Sequence, residues 1–99
     1  MSTDTDTAAV AADEERVWLA ERTYGDDELN LIILVYATTD GERYFRKERA
    51  LTSFADDRET PVSLVVPADE LGTVADDDRE RYATEAARMA TVHDPDDTI

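Results

Sequence analysis

The chain has no cysteine, one lysine, one histidine, three glycines and three prolines in 99 residues. Without cysteine there is no disulfide, thiolate metal site or thiol nucleophile, and nothing that reports a redox compartment. Gly25, Gly41 and Gly72 are too scattered to form a phosphate-cradling loop. The histidine, His93, stands beyond the last periodic segment, so no Ser-His-Asp arrangement can be assembled. The longest apolar run, residues 31–37, has seven residues, whereas a membrane-spanning helix needs about 20. Residues 1–15 carry no cation and no strongly apolar stretch, so no ordinary secretory signal is expected. The reading is of a soluble, cytoplasmic protein with no membrane contact.

Cations are scarce as well. Ten face 25 acids, for a net charge of -15, and nine of the ten are arginine, with Lys47 the sole lysine. Such a chain repels itself in dilute buffer, where charges act over about 10 Å, and much less in brine, where they act over about 3 Å. Acid-rich composition also marks disordered tails, but disorder requires few large apolar residues. Here Trp18, Tyr24, Tyr36, Tyr44, Phe45, Phe54 and Tyr82 stand among branched aliphatics, enough for one modest core. Arginine in place of lysine under a cover of Asp and Glu resembles the small acidic proteins of unknown function from haloarchaea. The resemblance is compositional and carries no functional residue with it.

Ninety-nine residues allow one domain, and a domain of this size buries only about 60 to 65 per cent of its unfolded surface, so salt or a partner should contribute to its stability. Residues 1–15, built mostly of small and acidic residues, read as a flexible segment. Residues 16–92 read as the domain and 93–99 as a flexible acidic tail. Val17, Trp18 and Leu19 open a strand that ends near Tyr24, where Gly25-Asp26-Asp27 supplies turn chemistry. Residues 29–38 form the clearest strand, followed by Asp40-Gly41, a pair that tolerates the positive φ of a tight hairpin. Residues 42–50 return as a third strand and 56–59 read as a charged loop. Pro61 and Pro67 bracket a short run that suits an edge strand, because proline cannot donate to a ladder. Asp76, Asp77 and Asp78 then introduce a helix as caps, and Tyr82, Ala83, Ala86, Met89 and Ala90 share one of its faces. The fold expected is α+β: a three- or four-stranded antiparallel meander with one C-terminal helix packed on one face.

A two-residue turn at Asp40-Gly41 sets opposite one another residues whose numbers sum to 81. One face then carries Leu31, Ile33, Val35 and Ala37 against Ala50, Glu48, Arg46 and Tyr44. The other carries Ile32, Leu34, Tyr36 and Thr38 against Arg49, Lys47, Phe45 and Arg43. Strand two is apolar on both sides, whereas a sheet with one wet face alternates. One helix covers one face, so the second calls for the N-terminal segment, a ligand or another protein chain, and at about 25 cal/mol per Å² that burial matters to a small domain. The expected contact residues are Ile32, Leu34, Tyr36, Arg43, Phe45, Lys47 and Arg49, and the expected activity is non-enzymatic binding of another protein or of a second copy in a homodimer.

Residues 42–49 hold four of the ten cations and two acids, a net of +2 that leaves -17 on the rest. Cations interleaved with aromatics also suit single-stranded nucleic acid. Four phosphate contacts, however, cost about three to four decades of affinity per tenfold rise in salt, and the acidic remainder repels a phosphate strand. Nucleic acid is therefore the runner-up. His93 with Asp94, Asp96 and Asp97 resembles a metal-ligand set only in composition, since structural zinc takes four nitrogen or sulfur ligands from a rigid frame. No cofactor or metal is expected.

Overall fold

A computed structural model describes residues 11–24, 31–50 and 60–99. The expectations for residues 1–10, the Gly25-Asp26-Asp27 turn and the loop at 56–59 lie outside the described residues. The elements are β1 (Glu14–Tyr24), β2 (Leu31–Ala37), β3 (Arg43–Ala50), β4 (Ser63–Pro67), β5 (Gly72–Thr73) and α1 (Asp76–Val92), with a 3-10 turn at Ala68–Glu70. The strands form one antiparallel sheet in the order β4-β1-β2-β3-β5, so the fold is α+β.

Five strands stand where three or four were expected, and the order is not a meander. β4 returns to pair with β1, which gives the 4-1-2-3 arrangement of a Greek key. β5 adds only Gly72 and Thr73 against Tyr44 and Arg43, too short to leave a periodic signal in the sequence. Pro61 and Pro67 sit on the outer side of β1, Pro67 opposite Glu14 and Pro61 bridged to Thr98, where a missing N–H is tolerated.

The β2–β3 register follows the sum of 81 from Leu31↔Ala50 to Ala37↔Tyr44. The turn itself is wider than two residues. Thr38 N–H donates to the Arg43 carbonyl at 3.0 Å, Arg43 N–H donates to Thr38 Oγ1, and Asp40 accepts from Thr38 Oγ1 and from Glu42 N–H. Those two bonds hold the Asp40 carboxyl below its ordinary range. Gly41 sits at φ +75°, and a Cβ there would lie 2.2 Å from the Arg79 carbonyl oxygen. Glycine therefore serves both the turn and the close approach of α1.

β1 carries a bulge between Leu19 and Glu21. Before it, Leu19 lies beside Tyr36 and Trp18 beside Ala37; after it, Arg22 lies beside Leu34 and Glu21 beside Val35. The extra residue inverts the alternation of β1. Tyr82 Oη on α1 donates to Glu21 at 3.0 Å, which sets the helix over the face of Trp18, Glu21 and Ala37. The helix packs chiefly along β1, with Ala86 and Met89 buried and Tyr82 and Ala90 partly so.

On the opposite face the chain's own segment after Pro61 contributes to the core. Tyr36 Oη donates to the Pro61 carbonyl at 2.7 Å, Arg43 Nη2 donates to the Ala68 carbonyl at 3.1 Å, and Leu64, Val66 and Leu71 join the core. Ile32, Leu34 and Tyr36 are each no more than 4% exposed. The need for a second molecule over these three side chains is thus removed within one chain.

Two local expectations are corrected. Ala75, not an aspartate, is the N-cap of α1, and no side chain caps the helix. Asp76 and Asp78 instead occupy the first turn and pair with Arg79 at 2.9 Å and Arg81 at 3.1 Å, favourable to the helix dipole. Residues 93–99, expected as a free tail, are tied down. Ile99 and Thr60 exchange backbone bonds of 2.9 and 3.0 Å, and Val62 N–H donates to the Asp97 carbonyl at 3.0 Å.

Candidate interaction surface

The seven residues chosen from sequence divide into three groups. Ile32, Leu34 and Tyr36 belong to the core and offer no surface. Burial pushes the Tyr36 phenol up to about 12, against the pull of the Arg49 and Arg22 guanidinium groups. Phe45 is half-buried against the same core beside its register partner Tyr36, and Arg43 is spent on the Ala68 carbonyl. Lys47 and Arg49 remain, the first exposed and the second half-buried.

The bulge at Ala20 brings two further residues to this side. The pairings run Arg22–Leu34–Lys47 in one row across β1, β2 and β3, and Tyr24–Ile32–Arg49 in the next. Each row sets a buried aliphatic side chain at its centre between longer polar or aromatic ones. Strands about 4.8 Å apart place the outer members of a row about 10 Å from one another at the backbone. Tyr24 is 59% exposed. Neither Arg22 nor Tyr24 was found from the sequence, because strict alternation from Leu19 assigns Glu21 and Thr23 to this face instead.

Charge pairing distinguishes these cations from most others. Arg46 pairs with Glu48, Arg79 with Asp76, Arg81 with Asp78 and Glu21, and Arg88 with Glu85. Arg16 donates to Ser63 Oγ, which in turn donates to the Val17 carbonyl. Among the described residues Arg22, Lys47 and Arg49 form no ion pair, and Arg49 Nε is buried without a hydrogen-bond partner.

Other features are weaker. A shallow cleft of about 410 Å³ opens between the end of α1 and β1, with Met89 and Leu19 at its floor and Arg22, Arg88 and His93 at its rim. His93 Nδ1 lies 3.4 Å from Asp97, in a contact that fixes the chain end to the helix. Among the described residues no three His, Cys, Asp or Glu side chains are placed to hold a metal ion, and no helix is long and apolar enough to cross a membrane. Residues 11–99 match a family of unknown function, DUF7967. No curated protein and no solved structure matches the chain.

Proposed function

We propose that this chain, which belongs to the DUF7967 family, is a salt-adapted, cytoplasmic, non-enzymatic binding module of haloarchaeal type that docks an acidic polypeptide on the Arg22–Lys47 side of its sheet. One observation carries the reading: in a chain with 25 acids, three cations on one face form no ion pair among the described residues, while four arginines elsewhere each have a carboxylate. Arg22, Lys47 and Arg49 stand around the buried Leu34 and Ile32, and the exposed Tyr24 ring is the apolar surface left for contact. Guanidinium groups and tyrosine are favoured at contact hot spots, and planar Arg–carboxylate pairs act at contact range, where screening by molar salt matters least. Phe45 holds the middle of β3 against the core, so these side chains project from a supported strand.

The test is fluorescence anisotropy of a labelled Asp/Glu-rich peptide in molar potassium chloride. The double variant Arg22→Glu, Lys47→Glu is expected to weaken binding at least about tenfold, equivalent to about 1.4 kcal/mol, with its melting temperature unchanged. A parent that does not bind, or a double variant that binds equally well, removes the reading. The exposed Tyr24 ring on the same face as Arg22 and Arg49 also suits base stacking, which keeps single-stranded nucleic acid as the second reading. A labelled RNA oligonucleotide that outcompetes the peptide in the same buffer would favour it.

A further inference from the structure

The outer edge of β3 has a charge pattern that complements itself. Thr38 N–H bonds to the Arg43 carbonyl, so positions 43, 45, 47 and 49 turn their backbone groups inward to β2. Positions 42, 44, 46 and 48 turn outward, in agreement with the bond from Val74 N–H to the Glu42 carbonyl on that side. β5 covers this edge only as far as Tyr44. Among the described residues no strand lies beside the outward amides and carbonyls of Arg46 and Glu48.

We infer that a second copy of this chain pairs antiparallel along this edge, about a two-fold axis through Lys47, to make one continuous sheet. In that register Arg46 lies opposite Glu48 of the second copy, and Glu48 opposite its Arg46. Both positions have outward backbone groups, so the two residue pairs exchange four N–H···O bonds, and the Arg46–Glu48 pair already made within each strand meets its counterpart in a cluster of alternating charges across the axis. Phe45 faces Arg49 of the second copy across the other side of the sheet, a cation–π geometry. Centring the axis on Arg46 or on Glu48 instead sets identical charges opposite one another and removes that alternation. The half-buried Leu31 and Ile33, on the same face as Arg46 and Glu48, add apolar surface beside the seam. Charged side chains commonly protect an edge strand from indiscriminate pairing; here cation and acid alternate across the axis, so a copy of the same strand is accepted and a uniformly charged one is not. The two Lys47 ammonium groups meet at the axis, a repulsion confined to about 3 Å in molar salt.

The inference does not rest on what the Arg22–Lys47 side binds, although Lys47 and Arg49 of that side lie at the axis and opposite Phe45 of the second copy. The test is sedimentation velocity in molar potassium chloride on the parent, Arg46→Glu, Glu48→Arg, their equimolar mixture, and the double variant R46E/E48R. The parent is expected to sediment as a dimer, and each single reversal to raise the dimer dissociation constant at least tenfold. The mixture restores association, because only the mixed pair sets Glu against Arg at both positions, and the double variant restores it by itself. Rescue by mixing cannot come from repaired folding of either chain. A monomeric parent, single variants that associate like the parent, or failure of the mixture to recover would each overturn the inference. Neither substitution touches Arg22 or Tyr24, so loss of peptide binding and loss of dimerisation are separate results.

Discussion

Replacing Tyr36 by phenylalanine should change how stability depends on pH and leave the fold intact. The phenol is fully buried, donates to the Pro61 carbonyl at 2.7 Å, and has its pKa pushed from 10.0 up to about 12 by burial. Below the lower value both folded and unfolded chains keep the proton, so the hydroxyl contributes only its hydrogen bond, about 1 kcal/mol net. Above it the unfolded chain releases the proton and the folded chain does not, so folding loses about 1.4 kcal/mol per pH unit until the folded phenol also ionises. Over the two-unit window the parent should lose about 2.7 kcal/mol from this group alone. The stability is therefore fully present at neutral pH and disappears as pH rises through the alkaline window. Tyr36→Phe starts about 1 kcal/mol lower and lacks this slope, so the two curves should cross near about pH 11. Tyr82 also has a raised pKa, through burial first and its bond to Glu21 second, but it is present in both proteins and cancels in the difference. Urea unfolding followed by far-ultraviolet circular dichroism in molar potassium chloride, repeated across the alkaline range, measures both curves. Parallel curves for parent and variant would refute the argument that burial of this hydroxyl governs alkaline stability.

Two further outcomes follow from the close contacts. Gly41→Ala forces a side chain into positive φ and sets its Cβ 2.2 Å from the Arg79 carbonyl and 2.8 Å from Ala83 Cβ. It should cost about 3 kcal/mol or more, read as a lowered melting temperature, and an unchanged melt would show that the hairpin and α1 are not in contact there. Deleting residues 97–99 removes three backbone bonds to Thr60 and Val62, worth about 2 to 3 kcal/mol together. Hydrogen exchange should show the Val62 amide deprotected, and retained protection would mean that this end is held by something other than the Asp97 carbonyl.

Where local chemistry fixed the structure, the sequence was readable. Asp40-Gly41 set the pairing of β2 with β3, since a wider turn centred on the same residues keeps the sum of 81. Pro61 and Pro67 marked a strand at the border of the sheet, and alanine spacing marked the buried face of α1. Non-local chemistry was not readable. The return of β4 to β1 depends on backbone bonds that any residues could make, and the tail's pairing with Thr60 has no apolar period to announce it. The bulge at Ala20 is one residue in length, yet it moved Arg22 and Tyr24 to the face of Leu34 and so hid half of the candidate surface. Two-sided burial of β2 was legible; the tie from its second side to Pro61 was not, because the Tyr36 to Pro61 bond spans 25 positions.

Salt separates pairing along the β3 edge from phosphate recognition on the Arg22–Lys47 side. At about 0.1 M the Debye length is about 10 Å, so two copies each carrying -15 repel across their whole facing surfaces. At 1 M that reach shrinks to about 3 Å, and only charges in contact still interact. Arg46 against Glu48 of a second copy is such a contact, supported by backbone bonds that do not respond to ionic strength. Dimerisation through the β3 edge should therefore strengthen as salt rises, until screening begins to erode the contact pairs themselves. Phosphate recognition by Arg22, Lys47 and Arg49 would run the other way, since each neutralised phosphate releases a counterion and three contacts to a single strand cost about 2 decades of affinity per tenfold rise in salt. A chain with an acidic surface can thus keep a few cations useful in brine by setting them where they touch their partner, which is the arrangement of both the β3 edge and the Arg22–Lys47 row.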